Sequence, residues 1–356
     1  MKPTIEQTSA TQQDISHLEA IYAGRKPFFG ELHDHANTGG TSDGRCTLAL
    51  WRREMEWLGM DFAAIVDHKQ VRHMYQPEWE DGVFIGGTEM ATTLHGCKAQ
   101  VPQLHYMMLF EGPKPLEELF EEFPEFQFTG APDGSAIYTD FELEHFKTLV
   151  RRVREKGGFF VHPHPKQVMV SDDPLDFWFA DETGIEVFVN GINSDFTKDN
   201  YKLWVALLQA GKRVWATAGT DFHRAPYTDD LTTIYAEGRN NKAYLSHLRE
   251  GDAVCGFAGI RMVMGDTKMG GKCDFTGKRL VFSVGDFHKS ILRPGHNYRV
   301  DLISDRGEEF RRPVTPGEML YFAFDADPAC KFYRLEVTDD TQKLRIALGN
   351  PIWNEG

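Results

Sequence analysis

The stretch 29-FGELHDHANTGGTSDG-44 joins a short apolar run to two histidines and then to a loop of small polar residues. His33 and His35 are two positions apart, so in a β-strand both side chains point to the same face. Asp43 follows within Ser-Asp-Gly, a strong turn sequence. It is either a turn residue or a carboxylate that reaches back towards the histidines. The stretch therefore predicts a strand that ends in a pair of metal-capable side chains.

Six more apolar runs follow and alternate with helical patterns. The seven predicted strands are 28–35, 62–68, 83–90, 103–109, 159–165, 185–190 and 213–223. The predicted helices are 11–23, 47–60, 139–158 and 197–212. This alternation predicts an α/β fold with a parallel sheet. The segment 111–138, rich in Glu, Phe, Pro and Gly, does not follow this alternation of strands and helices. It predicts an insertion, either a lid or a surface elaboration.

The C-terminal part of the chain has a different pattern of predicted elements. Short β-rich runs separated by turn residues occur at 280–287, 298–304, 319–326, 332–339 and 344–353. They predict a C-terminal β-sandwich domain. The expected division is a polar N-terminal lead-in (1–26), an α/β domain (27–254) and the β domain (255–356). The pattern leaves open whether the β domain forms a wall of a site or an oligomer interface.

Composition narrows the classes of function. The chain has 356 residues and a formal net charge of -14, which argues against binding to nucleic acid or to an anionic membrane. A small anionic substrate stays compatible with a local cluster of cations. Five cysteines without a CxxC pair predict a reduced, cytoplasmic protein. The N-terminus has no apolar signal-peptide region, and the chain has no apolar run long enough to predict a membrane span.

Metal-capable side chains occur at six of the seven predicted strands. They are His33 and His35, Asp67 and His68, Glu89, His105, His162 and His164, and Asp221 and His223. In parallel α/β folds the ligand site lies outside the carboxyl ends of the strands, so these groups are expected to converge. Imidazole and carboxylate are ligands for Zn, Mn and Fe. The sequence thus predicts a site for two or three divalent metal ions.

Taken in order, these pieces resemble the PHP (polymerase and histidinol phosphatase) superfamily of metal-dependent phosphoesterases. The matching pieces are 31-ELHDH-35, 42-SDG-44, 59-GMDFAAIVDH-68, 87-GTE-89, 157-GGFFVHPHP-165 and 217-TAGTDFH-223. The resemblance implies a distorted seven-stranded (β/α)7 barrel. The C-terminal part, from 246-SHLREGDAVCGFAG-259 to the final GNPIW, is similar to the CehA/McbA-type metallohydrolase branch.

The resemblance also implies a distribution of ligands over three metals. The implied sets are His33, His35, Glu89 and Asp221; then Glu89, His105 and His164; then Asp43, His68 and His223. Both His162 and His164 precede a proline, so the choice between them stays open.

The implied reaction is hydrolysis of a small-molecule phosphate ester by a hydroxide that bridges two or three metals. Asp221 and His223 are the candidates for handling the proton of the leaving group. Lys69, Arg72 and Arg224 each follow a ligand-bearing strand end and are candidate phosphate ligands, the alternative being solvated surface cations.

Two other functions stay open from the sequence. The same metals would serve a carboxylic ester or carbamate hydrolase. A non-catalytic, metal-stabilised binding module is the second alternative. The expected partner is a small phosphorylated or ester substrate, without nucleic acid or membrane, and a homo-oligomer is left open.

Overall fold

A computed structural model describes residues 10–98, 101–126, 138–168, 173–224 and 229–355. The α-helices in these ranges are α1 (Gln12–Ile21), α2 (Leu48–Leu58), α3 (Lys114–Glu122), α4 (Leu143–Glu155), α5 (Pro165–Val168), α6 (Asp195–Gln209) and α7 (Asn241–Glu250). The first ten strands are β1 (Lys26–Asp34), β2 (Phe62–Ile65), β3 (Phe84–His95), β4 (Val101–Phe110), β5 (Tyr138–Glu142), β6 (Phe159–His162), β7 (Thr183–Phe188), β8 (Val214–Ala218), β9 (Thr232–Ala236) and β10 (Ala253–Gly256). The other ten are β11 (Gly259–Met264), β12 (Thr267–Lys268), β13 (Lys272–Cys273), β14 (Arg279–Gly285), β15 (Tyr298–Ser304), β16 (Gly307–Val314), β17 (Leu320–Asp325), β18 (Phe332–Asp339), β19 (Leu344–Gly349) and β20 (Ile352–Asn354).

The seven predicted strands are all present, and they form one mixed sheet. Their order in the sheet is β1-β2-β3-β4-β6-β7-β8. The pairs β1–β2, β2–β3, β6–β7 and β7–β8 are parallel, as predicted. The prediction is wrong for β4, which runs antiparallel to both β3 and β6. The reason is that β3 and β4 are separated by only a short connection, which an antiparallel pair can use and a parallel pair cannot.

The two edges of this seven-stranded arrangement meet where the chain leaves β8. One isolated parallel bridge joins Asp34 to Phe222. Next to it, the Asp221 N–H donates to the His33 carbonyl at 3.0 Å, and the His35 N–H donates to the Phe222 carbonyl at 2.9 Å. A closed barrel is not confirmed, but this contact brings the segment after β8 against the end of β1.

Helix α2 illustrates how the sequence determines the local structure around β1. The side chain of Thr47 accepts a hydrogen bond from the Leu50 N–H at the start of the helix, and Gly59 ends it with a left-handed φ of 76°. The buried Trp51 donates its indole N–H to the His35 carbonyl at 3.2 Å. The helix is thereby fixed against the strand that bears the two histidines.

The predicted helix over 139–158 is shorter than expected. Residues Tyr138–Glu142 form β5, which pairs in parallel with the last residues of β3, and α4 begins only at Leu143. The predicted start of this helix at residue 139 is therefore wrong, because β3 extends past its predicted end and offers a free edge to pair with. Of the predicted insertion 111–138, α3 is described; residues 127–137, on which the lid prediction depends, lie outside the described residues.

The C-terminal strands form two layers. Strands β11, β12, β14 and β17 make a four-stranded sheet, whereas β15, β16 and β18–β20 continue the large sheet through β10, which pairs with β9 and with β19. Aromatic side chains such as Phe282 and Phe310, with ring centroids 5.8 Å apart, lie in contact between the layers. An independent β-sandwich is not confirmed, because one layer belongs to the same sheet as β1–β8.

Two further properties follow from the described residues. None of the helices described is long and apolar enough to cross a membrane. The five cysteines all fall within the described ranges, and none of them forms a disulfide.

A buried ion-pair network joins the N-terminal segment to β10. The Asp252 carboxylate lies 2.8 Å from Arg25 Nη1 and 2.9 Å from Lys268 Nζ, and it accepts a hydrogen bond from Tyr22 at 3.2 Å. Burial alone would raise the pKa of Asp252, but the hydrogen bond from His247 and the charge of Lys268 lower this pKa to about 2.

Because of this network, we expect the free energy of unfolding to depend on pH in the acid range. A carboxyl group with a lowered pKa in the folded state stabilises the fold above its unfolded pKa, near 4, and the contribution is lost as the pH falls towards 2. We expect Asp252→Asn to cost about 2–4 kcal/mol of unfolding free energy at pH 7. The difference from wild type should shrink by about 2 kcal/mol between pH 4 and pH 2. Urea unfolding at both pH values measures it, and a pH-independent difference would contradict the assignment.

Candidate metal centre

Nine side chains converge at one end of the sheet, and they are the nine residues that the resemblance implies as metal ligands, with His164 rather than His162 among them. They are His33, His35, Asp43, His68, Glu89, His105, His164, Asp221 and His223. They form three overlapping groups, and within each group the ligand atoms all lie within 4.8 Å of one another. Most of these residues lie in turns just after the strands, which end earlier than predicted: β2 ends at Ile65, β6 at His162 and β8 at Ala218.

The most buried group has the geometry of a tetrahedral metal site. His33 Nε2 lies 3.3 Å from Glu89 Oε2 and 3.4 Å from Asp221 Oδ1. His35 Nε2 lies 3.3 Å from Glu89 Oε2, 3.2 Å from Asp221 Oδ1 and 3.3 Å from His33 Nε2. Ligands at usual zinc distances on the corners of a tetrahedron are about 3.3–3.5 Å apart. The five edges, at 3.2–3.4 Å, lie close to this value, so the donors present fit a divalent metal ion.

Glu89 belongs to two groups at once. Its Oε1 atom lies 2.8 Å from His105 Nδ1 and 3.1 Å from His164 Nε2. Its Oε2 atom faces the first group, and it also lies 3.4 Å from His68 Nδ1. A carboxylate with different neighbours on each oxygen is suited to bridge two cations. His105 reaches this position because β4 is antiparallel, so its early residues lie at the rim where the parallel strands end.

The third group lies closest to solvent. Asp43 Oδ2 lies 3.0 Å from His223 Nε2 and 3.5 Å from His68 Nε2. His223 Nδ1 donates to the Asp221 carbonyl at 2.9 Å, which directs Nε2 towards Asp43. The Asp43 carboxylate therefore reaches back to the histidines, which is the second of the two alternatives left open by the sequence, and is more than a turn residue.

Burial and charge form a gradient across the centre. The His33 and His35 side chains are 0% exposed, whereas Asp43 is 52% exposed. Burial alone would lower the pKa of His35, but its hydrogen bonds with Asp221 and Glu89 raise this pKa to about 9. Burial alone would raise the pKa of Glu89, but the surrounding imidazoles, above all His33, hold it well below its usual value. Among the described members of the centre, Asp43 and His223 are the most exposed, at 52% and 33%.

Three residues of the centre adopt backbone conformations that are rare for non-glycine residues. Lys69 has a φ of 51°, His164 of 28° and Asp221 of 57°. Each conformation costs of the order of 1–3 kcal/mol and persists only where the surrounding structure imposes it. Four other described non-glycine residues, Glu182, Asn190, Asp286 and Lys343, also have a positive φ. At the centre the conformation occurs in the turns that bear His68, His164 and Asp221.

The structure separates His162 from His164. His162 is buried against Phe160 and Phe179, with ring centroids 5.1 and 4.9 Å away, and burial lowers its pKa to about 3. Neither of its ring nitrogens has a hydrogen-bond partner among the described residues. Side chains two positions apart would share a face in a continuous strand, but these two do not, because β6 ends at His162 and the positive φ of His164 turns the chain.

Because the two histidines have such different surroundings, we expect their substitution to have opposite effects on metal content. We expect His162→Leu to retain the metal content of the wild type and to change the unfolding free energy by less than about 1.5 kcal/mol, since an apolar side chain suits its surroundings. We expect His164→Leu to lose metal. Elemental analysis of both purified variants measures this, and metal loss confined to the His162 variant would reverse the assignment.

The three predicted phosphate ligands lie around the same rim. The Lys69 N–H donates to the Glu89 carbonyl at 3.2 Å, so this residue lies against the centre, and burial lowers the pKa of its side chain to about 8. Arg72 is exposed and lies beside Gly40 of the loop that bears Asp43. Arg224 is exposed directly after His223.

Two carboxylates next to the centre have roles that the sequence analysis did not assign. Asp67 accepts hydrogen bonds from the Ala36 N–H at 2.7 Å and from the Thr38 hydroxyl, so it holds the loop after β1. Glu186, in β7, accepts from His33. The signal available for Glu186 was a single carboxylate inside an otherwise apolar strand, because a fully buried charge needs dedicated partners.

A fourth group of metal-capable side chains has a different character. His247, Glu250 and Asp252 also lie close together. The Asp252 carboxylate is already paired with Arg25 and Lys268, which neutralise it. This group is therefore an ion-pair network.

Comparisons with known proteins give likenesses at the level of structure. No family model matches the chain, and no curated protein matches it. A two-domain protein from Bacteroides vulgatus, described as containing a predicted PHP-like metal-dependent phosphoesterase, is 13% identical, with a TM-score of 0.44 over 93% of this chain and 96% of that chain.

Two other solved structures cover smaller parts of the chain. The lesion-specific endonuclease EndoQ from Pyrococcus furiosus is 12% identical, with a TM-score of 0.43 over 63% of this chain and 56% of that chain. A structure described as a metal-dependent phosphoesterase from Bifidobacterium adolescentis is 17% identical, with a TM-score of 0.33 over 55% of this chain and 87% of that chain. The solved structures to which this chain is similar thus include one described as containing a predicted PHP-like metal-dependent phosphoesterase and one described as a metal-dependent phosphoesterase.

Proposed function

We propose that this protein is a metal-dependent hydrolase of the PHP type that acts on a small-molecule phosphate ester. The observation that supports this most strongly is the near-tetrahedral arrangement of His33, His35, Glu89 and Asp221 around one point. Glu89 then connects this point to the group formed with His105 and His164. Two or three adjacent cation positions at the end of a sheet are the arrangement used for in-line displacement at phosphorus.

The buried and exposed members of the centre have different tasks in this proposal. His33, His35, Glu89 and His164 are almost completely buried and hold the floor of the site. When bound there, divalent metal ions supply Lewis-acid charge and make water acidic enough to ionise near neutral pH.

The residues towards solvent would handle the substrate. The Asp221 side chain is 23% exposed and the His223 side chain 33%, so both can approach a leaving oxygen and hold its proton. Lys69 and Arg224 follow the turns that bear His68 and His223, and their cations would bind the phosphoryl oxygens from either side. Arg72, beside the loop of Asp43, would bind a more distant anionic group. Nucleic acid stays outside the proposal because a net charge of -14 repels a polyanion.

A substrate screen on metal-loaded protein tests this proposal. The probes are p-nitrophenyl phosphate, bis-p-nitrophenyl phosphate and p-nitrophenyl acetate, each with and without prior removal of metal by a chelator. We expect turnover of a phosphate probe that is lost with the metal and restored by Zn²⁺, Mn²⁺ or Fe²⁺. Metal-dependent turnover of the acetate alone would replace the proposal by the carboxylic ester or carbamate alternative. Metal binding without turnover of any probe would favour the binding module.

A further inference from the structure

Glu186 is the carboxylate residue of strand β7, and it lies between apolar residues. Its neighbours in the chain, Ile185 and Val187, are both fully buried, and its own side chain is 0% exposed. Burying a carboxylate is unfavourable by several kcal/mol unless hydrogen bonds compensate both oxygens. The contacts of this carboxylate should therefore explain why the strand contains it.

Both oxygens of Glu186 accept hydrogen bonds from residues of the metal centre. Oε1 lies 3.0 Å from His33 Nδ1. Oε2 accepts from the backbone N–H of His164 at 2.8 Å. One carboxylate thus joins β7 to a ligand from β1 and to a ligand that follows β6.

The contact with His33 determines which ring nitrogen bears the proton. The Nε2 atom of His33 faces Glu89 and Asp221, so its lone pair is the one available to a metal. The proton of the neutral ring must then lie on Nδ1, and a carboxylate oxygen that accepts a hydrogen bond from Nδ1 stabilises that tautomer.

The contact with His164 acts on the main chain. His164 has a φ of 28°, which is outside the favourable regions for a residue with a side chain. A charge-assisted hydrogen bond to its N–H stabilises this turn, and the turn aims the imidazole at Glu89 instead of continuing the direction of β6.

We propose that Glu186 is a positioning residue of the metal centre. It holds His33 in the tautomer with the proton on Nδ1, and it holds the backbone of His164 in the conformation that directs this imidazole to Glu89. The inference rests on the proposed function, because it assigns a role only if metal ions bind between these imidazoles. It adds a residue that does not itself contact the metal or the substrate.

The variant Glu186→Gln removes the charge at nearly constant volume. Its amide has one acceptor oxygen, so either His33 or the His164 N–H faces an NH₂ group. We expect the affinity for Zn²⁺ to fall by about 10–100-fold, as measured by competition with a chromophoric chelator. Glu186→Asp keeps the charge but shortens the side chain, and it should recover part of the affinity.

The matched control is Glu336→Gln. Glu336 is also a buried carboxylate in a strand, but its partners Arg334 and Tyr201 are not members of the centre. This variant should lower the unfolding free energy and leave the Zn²⁺ affinity unchanged. A purely structural role for Glu186 predicts the same pattern for both variants, and that result would overturn the proposal.

A measurement on the wild type avoids dependence on any variant. Long-range ¹H–¹⁵N correlation spectra of the Zn²⁺-loaded protein should show His33 protonated on Nδ1, and a proton on Nε2 would overturn the proposal. Wild-type protein that binds Zn²⁺ but hydrolyses no probe would refute the proposed function while the affinity ratio still tests Glu186. Wild-type protein that binds no Zn²⁺ would overturn both.

Discussion

Replacing Glu89 by glutamine is expected to abolish metal-dependent turnover and to remove metal from two groups at once. The reason is the number of imidazoles that the Glu89 carboxylate faces within 3.4 Å. These are His33, His35, His68, His105 and His164. Glutamine offers a single acceptor oxygen, and its NH₂ group would compete for the nitrogen lone pairs that a metal needs. We expect a loss of at least about 10³-fold in turnover.

Elemental analysis of the purified variant, together with turnover of the best probe, measures this effect. Glu237→Gln is a suitable control, since that carboxylate pairs with His247 and Arg25 outside the centre. It should retain the metal content and rate of the wild type. If the Glu89 variant kept its full metal content and its rate, Glu89 would not bridge the groups.

The convergence of the ligands could be predicted because it depends on two simple regularities. Side chains two positions apart in a strand share a face, which places His33 and His35 together. The carboxyl ends of parallel strands lie at one rim, which brings His68 and the segment after β8 to β1. Both regularities depend on local pattern and topology, and neither requires knowledge of long-range packing.

The correct position of His105 was reached by a partly wrong argument. The prediction treated its strand as parallel, whereas β4 is antiparallel to both neighbours. An antiparallel strand begins at the rim where its neighbours end, so an early residue of β4 lies where a late residue of a parallel strand would lie. The orientation of β4 follows from the short connection after β3, which extends to His95 and pairs there with both β4 and β5.

The choice between His162 and His164 could not be made from the sequence for a different reason. Each of the two residues is followed by a proline, and both come shortly after the apolar run 159–161. What separates them is a backbone turn at His164 that is unfavourable on its own and is stabilised by Glu186 from another strand. Strain of this kind is invisible in local sequence patterns because its compensation lies elsewhere in the chain.

Gly219→Ala is expected to have the second large effect, through the packing of the segment after β8 against β1. A Cβ at position 219 would lie 2.5 Å from His33 Cβ, 2.9 Å from His33 N and 2.7 Å from Glu186 Oε1. Gly219 does not have a positive φ, so the effect is steric. Neither neighbour can move easily, because His33 is in a central strand and Glu186 is held by two hydrogen bonds. The segment that places Asp221 would have to shift.

We therefore expect Gly219→Ala to cost about 3 kcal/mol of unfolding free energy and also to weaken Zn²⁺ binding. Urea unfolding of the metal-free protein and chelator competition measure the two effects separately. Gly112→Ala is the matched control, since a Cβ there meets nothing within 4 Å, and its effect on stability should stay within about 0.5 kcal/mol. If both variants behaved alike, close approach of the two chain segments would not be what positions Asp221 beside His33 and His35. If Gly219→Ala lost stability but kept its Zn²⁺ affinity, the centre would tolerate a shift of Asp221. Such tolerance would contradict a role for the near-tetrahedral donor distances in metal binding.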